Sequence, residues 1–226
     1  IALNHAAVNP TFSFISSISS GDDLSRYDYF DNDLCQEQFE TIMDSEGGGK
    51  KLLREQRPNV VMIIAESMGR STIDEVVGGE VVAPNMNRYK GEGVWFENMI
   101  ASSFRTDRGT LAILSGFPSQ PKMTLMSHIN KATKLPGIAD ALRKEGYQTR
   151  FIYGGDANFA NTRAYLYSTG FNEVADEREV NYGGHRSKWG SADDAVLNWA
   201  SDAIIERMDG LLKRCGIIVE DVFVLV

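Results

Sequence analysis

The stretch RPNVVMIIAESMG, Arg57 to Gly69, decides how the fold is read. Pro58 opens it, NVVMIIA follows as a short, nearly continuous apolar run, and Glu66 comes directly after. A run of that length without polar alternation fits a parallel strand buried on both faces. The chain downstream keeps the same rhythm. PNMNRYKGEG reads as a short helix ending at glycine, and VWFENMIAS as a second strand-like run. LPGIADALRKEGY places Ile138, Ala139 and Leu142 on one helical face with Gly146 as a stop, and QTRFIYGG returns as a strand. NFANTRAYLYSTGF reads as another glycine-terminated helix, SADDAVLNWASDAIIERMDGLLKR as a longer helical region, and VEDVFVLV as a final strand. Strands alternating with helices predict an α/β fold, a mostly parallel sheet with helices on both faces. A last strand without neighbours to complete the sheet predicts an exposed apolar edge that favours association.

Upstream, residues 1–57 are rich in Ser, Asn and Asp with scattered aromatics, and they close on the linker-like GGGKKLLREQRP. They read as a lead-in segment, with the main domain over residues 58–226. The whole chain of 226 residues, 42% of them hydrophobic, is long enough to bury a sizeable core. Its formal charge of −8 includes no long basic block, so no nucleic-acid partner is expected and anion recognition must be local. Cys35 and Cys215, the two cysteines, have neither metal-type nor redox-type spacing. No apolar run reaches the roughly 20 residues that span a bilayer.

In an open parallel sheet, ligands sit beyond the carboxyl ends of the strands, which singles out Glu66, the Ser102 to Thr106 loop and Asp156. Glu66, inside AESMG, could ligate a divalent cation or be a solvated loop acid. SSFRTDRGTLAILSG, Ser102 to Gly116, holds a threonine where a polar loop becomes an apolar helix. Thr is a favoured N-cap, so Thr106 reads as a cap. Its setting adds a second reading, because Arg105 and Arg108 flank it and a helix N-terminus favours anions. A metal-activated hydroxyl there could attack a phosphoryl or sulfuryl group held by arginine and backbone N–H groups. Arg105 and Arg108 could equally be surface charges paired with Asp107. His128 and His185 stand alone in loops, and Asp193 and Asp194 read as a helix start. The nucleotide motifs GxGxxG and GxxxxGK[ST] and the hydrolase motif GxSxG are absent.

Taken in order, RPNVVMIIAESM, PNMNRYKGEGVWFENMIASSFRTDRGTLAILSG and LPGIADALRKEGYQTRFIYGGDANFANTRAYLYSTGF resemble the lipoteichoic acid synthase-like, phosphoglycerol transferase branch of the sulfatase and alkaline phosphatase superfamily, over about residues 58–200. The resemblance implies an alkaline phosphatase/sulfatase-like fold. It also implies transfer or hydrolysis of a phosphate-ester group through a threonine nucleophile, with a divalent metal: manganese first, with magnesium, zinc or calcium as substitutes. Glu66 matches the family's metal-binding glutamate, and Thr106 its nucleophile and second metal ligand. YGGDANFAN matches the family's substrate loop, with Asp156 and Asn161 as the implied polar contacts, and Arg108, beside Thr106 at the helix start, is a further substrate-binding candidate. The implied substrate is a lipid- or glycan-linked phosphate or sulfate ester. The implied location is extracytoplasmic, periplasmic or on the outer face, anchored in the cytoplasmic membrane through a region preceding this sequence.

Two departures shape the expectation. The tryptophan and arginine of lipoteichoic acid synthases stand here as Ala160 and Thr162, with Arg163 one place off, so the glycerol-phosphate substrate is not carried over by these positions. The family's Asp-His metal pair and SSHEP-like loop histidine follow a strand that VFVLV represents, beyond Val226. The chain therefore reads as the N-terminal part of a catalytic domain, binding metal poorly and inactive alone. TDRGT does not match the CxPxR-like motif of formylglycine sulfatases. Sulfate- or phosphonate-ester hydrolysis on the same fold, or a non-catalytic fragment or binding module, remain as alternatives.

Overall fold

The computed structural model describes residues 11, 15, 30–43, 52–53, 56–120, 123–215 and 221–225, without the side chains of 208–215 and 221–225. The chain divides into two compact units, residues 1–54 and 55–226. Most of the lead-in, including the GGGKK part of its linker, lies outside the described residues. Within it, helix α1 spans Asn32–Met43 and carries Cys35 as an exposed free thiol.

In the second unit the main sheet has four strands: β1 (Val60–Ile63), β4 (Gln148–Ile152), β5 (Glu173–Ala175) and β8 (Asp221–Leu225). Their order is β1-β8-β4-β5 and every pairing is parallel. The α/β reading holds. Three local expectations do not. Val61 and Ile63, on one face of β1, are exposed while Val60 and Met62 on the other are half-buried, so that strand is covered on one face and not on both. The final strand is not an edge: β8 lies between β1 and β4, paired on both sides. VWFENMIAS forms no strand, since Val94, Phe96, Met99 and Ile100 face solvent and no described strand offers it a ladder.

The remaining elements follow the chain. Helix α2 (Arg70–Asp74) leads into the small hairpin β2 (Val76–Val77) and β3 (Glu80–Val81). Helix α3 (Pro84–Glu92) begins on a proline whose missing N–H would have been unsatisfied anyway. Helix α4 (Thr106–Ser115) ends on left-handed Gly116, and α5 (Ile129–Ala132) and α6 (Ile138–Lys144) follow. Helix α7 (Thr162–Ser168), the hairpin β6 (Arg186–Ser187) and β7 (Gly190–Ser191), and α8 (Asp193–Cys215) complete the set. Asp193 and Asp194 occupy the first turn of α8, where carboxylates favour the helix dipole.

The core explains why α4 is held firmly. Leu111 and Leu114 of α4 are buried, as are Phe151, Ile152, Tyr165, Leu166 and Val174. Phe151 meets Phe171 edge to face with ring centroids 5.4 Å apart, and Ser115 Oγ bonds the Tyr165 hydroxyl at 2.6 Å, tying α4 to α7. One end of α4 is thereby fixed to the core, leaving its N-terminus to face a pocket.

Candidate active site

A pocket of about 650 Å³ opens at the carboxyl ends of β1 and β4. Glu66, Thr106, Asp107, Tyr153, Asp156 and Glu177 line it, together with Arg105, Lys188 and the aromatics Phe104, Phe159 and Trp189. The positions beyond the strand ends thus converge, as an open parallel sheet requires. Glu66 sits in the turn after β1, next to Ser67, whose φ of 59° places a non-glycine residue in the left-handed region. That conformation costs of order 1–3 kcal/mol and clusters at ligand-binding sites.

Thr106 is not the cap of its helix. The cap position belongs to Arg105, with extended backbone (φ −118°, ψ 133°), and among the described residues no side chain caps the helix. Gly109 N–H closes the first turn on Arg105 O at 2.9 Å, while Ser103 Oγ accepts the Arg105 N–H at 3.3 Å. Thr106 is the first helical residue, and among the described residues no hydrogen bond engages its hydroxyl. The Arg108 and Gly109 N–H groups close on Arg105 O, while among the described residues those of Thr106 and Asp107 have no hydrogen-bond partner, as befits a helix start. A free hydroxyl, orphan donors and the positive end of a ten-residue helix therefore meet at one point.

Of the flanking arginines, Arg105 pairs with Asp107, Nε to Oδ1 at 3.2 Å. The Arg108 guanidinium lies 6.0 Å over the ring of Phe104 and is not part of the pocket lining. Asp156 does line the pocket, but its carboxylate is already engaged. Oδ1 accepts the Asn158 N–H at 2.9 Å, and Oδ2 pairs with Arg178 at 2.6 Å. The Asn158 N–H first, and Arg178 with it, hold the Asp156 carboxyl below its ordinary value. Asn161 lies outside the lining; with φ 61° it donates from Nδ2 to Met126 O at 3.0 Å and fixes the loop. Ala160, also left-handed at φ 54°, lines the pocket. Arg163 is turned to Asp176 and Glu179, each at 2.6 Å. His185 is exposed in a loop, and neither it nor His128 lines the pocket.

Sequence reasoning passed over Tyr153, Glu177, Lys188 and Trp189, and the buried Asp176 behind them. Tyr153 and Glu177 directly follow strand ends or their turns, a positional signal that was available. Burial first, then the charges of Glu66, Glu177 and Asp156, push the Tyr153 phenol above its ordinary value. Glu177 Oε2 lies 2.8 Å from Arg186 Nη2.

For a metal, Glu66 and Thr106 offer two oxygen donors in one pocket. Oxygen suits a hard divalent cation in kind, but such ions take six or more ligands, or four for zinc. Among the described residues no group of three or more His, Cys, Asp or Glu side chains is placed to hold one. The donors present fit part of a coordination sphere. Among the described residues, too, no helix is long and apolar enough to cross a membrane.

The sulfatase family model matches residues 58–210, which contain every described residue that lines the pocket. The chain is 30% identical over 161 residues to phosphoglycerol transferase I of Xanthomonas campestris pv. campestris, covering 66% of this chain and 22% of that protein. It is 28% identical over 102 residues to N-acetylgalactosamine-6-O-sulfatase of Bacteroides thetaiotaomicron, covering 43% of this chain and 20% of that protein. A solved alkaline phosphatase superfamily protein of Vibrio parahaemolyticus superposes with a TM-score of 0.70 at 29% identity, covering 87% of this chain and 48% of that one. The lipoteichoic acid synthase LtaP of Listeria monocytogenes superposes with a TM-score of 0.65 at 14% identity, covering 74% and 40%, and shares the fold. The chain thus spans about a fifth of the length of these two curated relatives and less than half of these two solved chains.

Proposed function

The chain belongs to the sulfatase family, and from that premise we propose that it contributes Thr106 as the nucleophile in transfer or hydrolysis of a phosphate ester. The observation that carries this reading is the Thr106 hydroxyl, at a helix N-terminus and unused as a cap, in the same pocket as Glu66. In the proposed step Thr106 Oγ1 attacks phosphorus, the P–O bond to the alcohol portion breaks with its electrons going to the departing oxygen, and the Thr106 proton passes by way of solvent to that oxygen, so that portion leaves as a neutral alcohol. An acceptor alcohol or water then releases the group from Thr106. Orphan N–H groups of the first turn of α4 face the charge that develops on the phosphoryl oxygens. Glu66 and the Thr106 oxygen would hold a divalent cation, manganese in the first instance, whose chemistry is to lower the pKa of a bound hydroxyl.

A phosphate ester is favoured over a sulfate ester because the phosphoglycerol transferase match extends over 161 residues against 102 for the sulfatase. The same proposal places the site outside the cytoplasmic membrane, on a protein anchored by a region preceding this sequence, acting on a lipid- or glycan-linked substrate. Its support is the resemblance of residues 58–200 to that branch. The test is manganese-dependent turnover of a phosphodiester and a sulfate ester by the longest native reading frame carrying this segment. Wild-type turnover of the phosphodiester, lost in Thr106→Ala, is expected; equal turnover by the variant would exclude the mechanism.

A further inference from the structure

Among the described residues, six charged side chains line the pocket: Glu66, Arg105, Asp107, Asp156, Glu177 and Lys188. Four are already matched. Arg105 neutralises Asp107, Arg178 neutralises Asp156, and Arg186 lies beside Glu177. Among the described residues, Glu66 and Lys188 are the two lining charges with no ion pair. One seat therefore attracts a cation, and the other an anion.

The position of Lys188 is set by backbone packing. It lies with Trp189 in the turn between β6 and β7, whose register pairs Arg186 with Ser191 and Ser187 with Gly190. Ser187 Oγ accepts the Trp189 N–H at 3.0 Å, closing the turn. Ser191 N–H donates to Gly154 O at 2.8 Å, which fastens the hairpin to the loop leaving β4. Gly190, at φ 134°, packs so closely that a Cβ there would come within 2.7 Å of Gly155 Cα. The turn is thus pressed onto the pocket wall. The Lys188 ammonium stands 4.7 Å from the centre of the Trp189 ring, which is itself 72% exposed. That contact shields part of the ammonium from water without neutralising it.

We infer that Lys188 seats an oxyanion of the substrate, a phosphate or a chemically equivalent group, at the hairpin side of the pocket. The inference rests on the reading that this pocket takes an anionic ester. An ammonium binds phosphate as a point charge, and its hydrogen bonds to an oxyanion are charge-assisted.

The experiment is calorimetric titration of this chain with inorganic phosphate at low ionic strength, with glycerol as the uncharged control. Lys188→Gln and Lys188→Arg are compared with Lys144→Gln, which removes the same charge from an exposed site outside the pocket, paired with Asp140 at 2.8 Å. Phosphate binding should weaken at least about tenfold in Lys188→Gln. It should be retained in Lys188→Arg and unchanged in Lys144→Gln, while glycerol binds to none. Thermal melting of each variant checks folding, and exposed Lys188 should leave the midpoint in place. Equal affinity in Lys188→Gln, an equal loss in Lys144→Gln, or no phosphate binding by the wild type would overturn the assignment. Because the readout is equilibrium binding, those results bear on Lys188 alone, and the nucleophile is judged by turnover.

Discussion

Asp176, 0% exposed, forms an ion pair with Arg163 at 2.6 Å and accepts the Ala157 N–H through the same oxygen at 2.9 Å. Its other oxygen accepts the Arg178 N–H at 3.0 Å, and Arg178 reaches back to Asp156. Arg163 N–H in turn donates to Ala157 O at 2.7 Å. One buried carboxylate therefore holds both ends of the 156–163 loop that supplies Asp156, Phe159, Ala160 and Thr162 to the pocket.

Asp176→Asn keeps an acceptor for the Ala157 N–H but leaves Arg163 without its buried partner. Because Arg163 keeps Glu179 as a partner, the cost is that of a lost hydrogen bond to a charged group, about 1.5–3 kcal/mol. Urea unfolding should show a loss of that order. A loss below about 1 kcal/mol would mean the loop is held by something else.

The same carboxylate predicts an acid limit. Burial pushes its pKa up, but the Ala157 N–H, Arg163 and the Arg178 N–H outweigh burial and hold it below the ordinary value of 3.8. A depressed folded-state pKa contributes stability that is present above the unfolded value and lost as pH falls through the folded one. Thermal midpoints should fall below about pH 4, and the fall should be shallower in Asp176→Asn.

Thr106→Ala separates capping from chemistry. Loss of a threonine cap costs about 1 kcal/mol, whereas Thr106 caps nothing. The variant should unfold within about 0.5 kcal/mol of wild type. A loss as large as a cap's would show that the hydroxyl supports the helix after all.

Gly190→Ala forces a side chain at φ 134° against Gly155. Strain of this kind costs about 1–3 kcal/mol. The exposed Trp189 beside it should change its fluorescence maximum as the turn is displaced. An unchanged spectrum with unchanged stability would mean that the hairpin is not pressed onto the wall.

The Tyr153 phenol should titrate above the ordinary value near 10, read as the difference in ultraviolet absorbance between wild type and Tyr153→Phe. A raised folded-state pKa contributes stability that is present below the unfolded value and lost as pH rises through the folded one. Glu66→Gln removes one of the charges responsible and should lower the midpoint. No change in that variant would place the Glu66 charge out of reach of Tyr153.

Much of the fold was legible because its signals are local. Apolar runs mark β1, β4 and β8, and left-handed Gly116, Gly146 and Gly170 follow the ends of α4, α6 and α7. VWFENMIAS misled because an apolar run specifies a strand only where a partner ladder exists. Strand order could not be read: β8 enters between β1 and β4, a nonlocal pairing without a sequence period. At the site, Glu66 and Thr106 were visible from their place after a strand and at a helix start. The cap assignment failed because the extended backbone of Arg105 moves the helix boundary by one residue. Asp176 gave no signal, since its partners Ala157 and Arg163 are brought to it only by folding. Lys188 was hidden for the same reason, as its lack of an ion pair is a property of the assembled pocket.

The most direct test of the central claim is peptide mass spectrometry on the longest native reading frame carrying this segment, quenched during manganese-dependent turnover of a phosphodiester. The account predicts the transferred phosphoryl group as an added mass on the peptide that contains Thr106, absent without metal and absent in Thr106→Ala. Turnover with no adduct on Thr106, continuing undiminished in Thr106→Ala, would contradict it.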